Sequence, residues 1–155
     1  MNRAEMEYAL GSCEFFELLG ESEIAEIAGL CQANAYKSGE YVFQQGDHGE
    51  HLYVIVQGHI YLERSMDLGA RKGNIVIETL GKGRVFGCWS TLLDLPHTLM
   101  ASAICQKPTT ILAMKGSDLR RIMVGNTKLG FNIMERLCFL LRNRIQAAYG
   151  AMEKI

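Results

Sequence analysis

The rhythm of apolar positions changes twice along this chain. Between residues 14 and 31, Phe15, Phe16, Leu18, Leu19, Ile24, Ile27, Ala28 and Leu30 recur mostly at three- to four-residue steps, broken at Gly20. That rhythm predicts two short helices, the second capped by Ser22 with Glu21 and Glu23 beside its positive N-terminal end. From Ala35 to about Met114 the apolar segments shorten and glycines divide them. Tyr41–Phe43, Leu52–Val56, His59–Arg64, Ile75–Leu80, Met100–Cys105 and Thr110–Met114 carry β-branched and aromatic residues and read as strands. Short strands at this spacing predict a sandwich or barrel, and the polar run from Asp67 to Asn74 predicts a hairpin tip.

After Lys115 the helical rhythm returns. Ser117-Asp118 signals a short helix through Met123, and a long helix runs from about Lys128 to Met152. One of its stripes is Met134, Cys138, Leu141, Ile145, Ala148 and Met152, in alternating steps of four and three, the pattern of a coiled-coil seam. A second stripe, Ile133, Leu137 and Leu140, is free to pack on the chain's own β-structure. Two stripes need cover, so a homodimer joined through this helix is expected; the alternative is one amphipathic helix burying a single wide face. Arg136, Arg142 and Arg144 read as a solvated face of the same helix.

Composition narrows the function. The 155 residues fit one domain, 1–155, divided into N-terminal helices over 14–34, a β-barrel over 35–115 and C-terminal helices over 116–155. Hydrophobic residues make up 48% and charged residues 21%, with a formal net charge of −1, so there is no basic field to draw in nucleic acid or an anionic membrane. No apolar run approaches the ~20 residues of a bilayer span, and the charged start lacks a secretory core. The five cysteines are scattered without a CxxC pair, which indicates neither a zinc knuckle nor a disulfide framework and sets a reducing cytoplasm as the default.

The densest motif is the stretch from Gly39 to Gly58, GEYVFQQGDHGEHLYVIVQG. Gly46-Asp47 is a turn dipeptide between two strands, and Gly49 and Gly58 fall where a tight β-fold bends. Further on come Leu80-Gly81-Lys82-Gly83-Arg84-Val85-Phe86-Gly87 and the small run Ala101-Ser102-Ala103, then the long closing helix. Together these resemble the cyclic-nucleotide-binding domain of catabolite-activator-type regulators and kinase regulatory subunits, over residues 14 to 148. The resemblance implies a mainly β fold with flanking helices, a jelly-roll β-barrel plus a long C-terminal helix, and a ligand held between barrel and helix.

In that family Phe-Gly is followed by a glutamate that receives the ribose hydroxyl. After a short helix comes an arginine that binds the cyclic phosphate, shortly before an Ala-Ser/Thr pair. Here the glutamate position is Cys88. The arginine position is His97, Thr98 or Leu99, depending on the reference point, and no alignment supplies either charged residue. Losing both charge-assisted partners weakens cyclic AMP binding by at least ~100-fold. The resemblance therefore implies a ligand site at Phe86, Gly87, Cys88, Trp89, Ser90, His97, Thr98, Ala101 and Ser102, with Tyr149 of the last helix stacking over it. The expected ligand is cyclic AMP, cyclic GMP or another small anion, held by backbone N–H groups and the Ser90 and Ser102 hydroxyls.

Other chemistries find less support. His48, Glu50 and His51 match the residue types of a cupin metal site, with His59 or His97 as the downstream partner, but a metal needs at least three ligands converging on one point. No nucleophile elbow, P-loop or paired-carboxylate motif occurs, so no catalytic residue is assigned and a non-enzymatic role is expected. Relatives that bind DNA do so through a helix-turn-helix after the long helix; the sequence ends at Ile155 without one, so the expected output runs either through a separate protein or through a longer regulator of which this chain is a part. The reading is a regulatory small-ligand sensor, with a ligand-free dimerisation module and a cupin-type metalloenzyme as alternatives.

Overall fold

A computed structural model describes residues 1–95 and 97–155. The chain opens with helix α1 (Arg3–Gly11) and helix α2 (Glu21–Ala28). Ten strands follow among the described residues: β1 (Gln32–Tyr36), β2 (Tyr41–Phe43), β3 (His48–Gly49), β4 (His51–Gln57), β5 (Ile60–Asp67), β6 (Lys72–Leu80), β7 (Val85–Gly87), β8 (His97–Thr98), β9 (Ser102–Cys105) and β10 (Thr109–Lys115). A 3₁₀ turn, Trp89–Leu93, joins β7 to β8. Helices α3 (Gly116–Gly125) and α4 (Thr127–Met152) close the chain.

The strands form two antiparallel four-stranded sheets, β1-β10-β4-β7 and β2-β9-β5-β6, with β3 and β8 paired as a separate ribbon. The jelly roll is thus two facing sheets and not a closed hydrogen-bonded barrel. Strand alternation explains the two cores. On β4, Leu52 and Val54 turn outward to a cluster with Phe15, Phe16, Ile133, Leu137 and Leu140, which buries the helices. Ile55 of the same strand turns inward to Ile60, Leu80, Phe86 and Ile111, between the sheets. The second stripe of α4 therefore packs on its own chain, as its periodicity predicts.

Two N-terminal expectations need correction. Residues 14–19 form turns and not a helix, because Glu14 is drawn away: its carboxylate accepts from Val85 N at 2.9 Å and lies 3.0 Å from Arg84 Nε. The helix ahead of them is α1, held by a capping box in which Asn2 Oδ1 accepts from Glu5 N and Glu5 Oε2 accepts from Asn2 N, both at 2.9 Å. The cap of α2 is Gly20 and not Ser22; Glu23 reaches back to Gly20 N at 3.1 Å.

Candidate functional site

Between the second sheet, the segment 86–101 and the C-terminal half of α4 lies a cavity of about 460 Å³, a volume within the usual range for small-molecule sites. Leu62, Ile75 and Ile77 form its sheet wall, Phe86, Trp89 and Leu99 its middle, and Leu141, Ile145 and Ala148 its helical wall. Helical geometry places those three α4 residues on one face, and strand geometry does the same for Leu62, Arg64 and Met66 on β5.

Of the ten ligand positions expected from sequence, Phe86, Gly87, Trp89, His97 and Ala101 line this cavity. Cys88, Ser90, Thr98, Ser102 and Tyr149 do not. Gly87 has φ +127°, and a Cβ there would lie 2.5 Å from His51 O, so only glycine lets β7 run this close to β4. Its neighbour Cys88 is turned inward and buried, with its Sγ 3.3 Å from His97 Nδ1 and 3.4 Å from Ser90 Oγ. Ser90 Oγ also meets His97 Nδ1. Ser102 Oγ is engaged too, accepting from Gln45 N at 2.9 Å. Tyr149 is 65% exposed, because one 100° step from Ala148 carries it off the cavity face.

Two arginines unassigned to the site by sequence reasoning line the cavity. Arg144, read as part of a solvated face, is half-buried against β6: its Nη1 donates to Glu78 Oε2 at 2.8 Å and its Nη2 to Val85 O at 3.0 Å. Burial lowers its pKa despite Glu78. Glu78 also holds Arg84 at 2.9 Å; burial opposes the Arg84 charge, but Glu14 and Glu78 outweigh it and raise that pKa. Arg136 likewise pairs with Glu17 at 2.6 Å. Arg64 projects from β5, and its Nη1 donates to Met100 O. Among the described residues Arg64 has no acidic partner. A charged residue in register with Leu62 and Met66 was the signal in the sequence that could have exposed it.

The expected dimer seam divides. Met134, Leu141 and Ala148 are half-buried, while Cys138, Ile145 and Met152 are exposed. Phe131, 69% exposed, continues the same three-four rhythm one step upstream. Leu141, Ile145, Ala148 and Met152 also border the cavity, so a partner helix on this seam would sit at its mouth. His48 Nε2 lies 3.9 Å from Glu50 Oε1, and among the described residues no three His, Cys, Asp or Glu side chains converge on a metal position. No described helix is long and apolar enough to cross a membrane.

Residues 33–126 match the family model described as the cyclic nucleotide-binding domain. The cyclic AMP receptor protein of Thermus thermophilus is 28% identical over 137 residues, covering 86% of this chain and 57% of that protein. A cGMP-dependent protein kinase of Toxoplasma gondii is 28% identical over 125 residues, 81% of this chain but 12% of the kinase. The chain therefore spans only part of these curated relatives. A crystal structure of a cyclic nucleotide-binding domain from Methylobacillus flagellatus superposes with a TM-score of 0.78 at 21% identity, over 99% of this chain and 84% of that one, and so shares its fold.

Proposed function

The chain belongs to the cyclic nucleotide-binding domain family, and from that premise we propose that it is a regulatory sensor of a small ligand, not an enzyme, working without the family's phosphate and ribose contacts. The observation that carries this reading is the make-up of the cavity. Apart from Arg64, Arg144 and His97 its wall is mostly apolar, and among the described residues no Asp or Glu side chain lines it. The glutamate position holds Cys88, buried and turned away, and the arginine position holds His97, Thr98 or Leu99. Ligand arrival would shift α4, whose Leu141, Ile145 and Ala148 form one wall, and thereby any surface that reads α4.

In this reading the module works as a cytoplasmic homodimer joined along the α4 seam of Met134, Cys138, Leu141, Ile145, Ala148 and Met152, of which Cys138, Ile145 and Met152, with Phe131 upstream, are exposed, and it signals through a separate output protein. Calorimetric titration with cyclic AMP and cyclic GMP tests the proposal. The expected result is no saturation below millimolar nucleotide. Micromolar binding would show that the family's usual chemistry survives by other contacts and would overturn the proposal.

A further inference from the structure

We propose that the cavity takes an apolar molecule bearing one anionic head group, with Arg64 receiving the anion. This rests on the sensor reading of the same cavity and names its ligand class. A purine and a ribose bring several donors and acceptors, and a wall of Leu62, Ile77, Phe86 and Ile145 leaves them unpaired, which opposes their burial. An alkyl chain or flat apolar body brings none and gains from the same wall.

The head group follows from the two cations. Arg144 is committed to Glu78 and the Val85 carbonyl. Arg64 spends one of its five N–H donors on Met100 O and, among the described residues, meets no carboxylate. A guanidinium at the edge of an apolar hollow pairs with a carboxylate through two parallel hydrogen bonds, a geometry that lysine does not offer. The result is a site with an apolar body region between β5, β6 and α4, and one cationic end beside Met100.

Trp89, the only tryptophan in the sequence, lines the cavity and reports occupancy by its fluorescence. Decanoate is the probe and decanol its uncharged counterpart. Decanoate should saturate the signal at concentrations on the order of micromolar, and each two-methylene step from octanoate to dodecanoate should tighten binding roughly tenfold. Arg64→Gln should weaken decanoate at least ~10-fold and leave decanol unchanged, while Arg64→Lys keeps part of the affinity. Ala148→Phe, which fills the cavity, should abolish both signals. Equal binding of decanoate and decanol, unaffected by Arg64→Gln, would overturn the assignment of the anion to Arg64. No saturation by either probe would overturn the ligand class altogether. Amide exchange of α4 separates this from the sensor reading: decanoate binding through Arg64 with α4 exchange unchanged would support the ligand assignment and sink the sensor.

Discussion

Replacing Arg144 by methionine should loosen α4 from the sheet, and the size of the effect can be worked from its contacts. The side chain is 16% exposed and makes two charge-assisted hydrogen bonds, at 2.8 Å to Glu78 and 3.0 Å to the Val85 carbonyl. Such bonds contribute ~1.5–3 kcal/mol each. Methionine keeps the apolar stem but leaves the Val85 carbonyl and one Glu78 oxygen without these partners. Glu78 still holds Arg84 at 2.9 Å, so it is not an isolated buried charge and the loss stays below that of a fully broken pair. The expected cost is about 2–4 kcal/mol, a sizeable share of the 5–15 kcal/mol typical of a domain. Urea unfolding of Arg144→Met, Glu78→Gln and the double variant measures it, with a coupling of at least ~1 kcal/mol expected for groups in direct contact. A loss under ~0.5 kcal/mol for Arg144→Met, or strict additivity in the double variant, would refute the view that this pair holds the helix.

Three further outcomes are expected. Gly87→Ala should cost at least ~2 kcal/mol by thermal or urea unfolding, because φ is +127° and the new Cβ would meet His51 O at 2.5 Å; a smaller change would show that β7 can shift. Alkali should destabilise the fold: burial raises the Cys13 thiol to about 11 from an ordinary value near 9, and Cys31 and Tyr53 to about 12. The unfolded chain then releases the Cys13 proton first, so that contribution is intact below pH 9 and declines as pH rises toward 11, by up to ~1.4 kcal/mol per unit. Under reducing conditions Cys13→Ala should lower stability at pH 8 yet flatten this alkaline decline, and an unchanged decline would remove the thiol as its cause. Sedimentation should show Cys138→Glu at the 17.3 kDa monomer mass and the wild type at twice it, since position 138 touches neither core nor cavity; a dimer in both would move the interface off α4.

The regular elements were legible where their own residues carry the signal. Strand β2 follows Tyr41–Phe43, and α4 starts one residue from its expected place, since both have strong local periodicity. Strand β1, Gln32–Tyr36, was missed because its polar sequence becomes a strand only through its ladder with β10. Helix α1 was missed because it buries little beyond Leu10, although the Asn2–Glu5 capping box was present in the sequence. At the site, the motif located Phe86, Gly87 and Trp89, which line the cavity. It misplaced Tyr149 by one residue of helical phase. Arg64 and Glu78 come from the β5–β6 hairpin and lie outside the motif, and only the register of Arg64 with Leu62 and Met66 betrays its place. Charge pairs such as Glu78–Arg144, 66 residues apart, leave no local trace.

The most direct test of the account is a side-by-side titration of one protein sample with decanoate and with cyclic AMP, followed through Trp89. The account predicts a saturating change with micromolar decanoate and none with cyclic AMP up to a millimolar. Saturation by micromolar cyclic AMP, with decanoate silent, would contradict it.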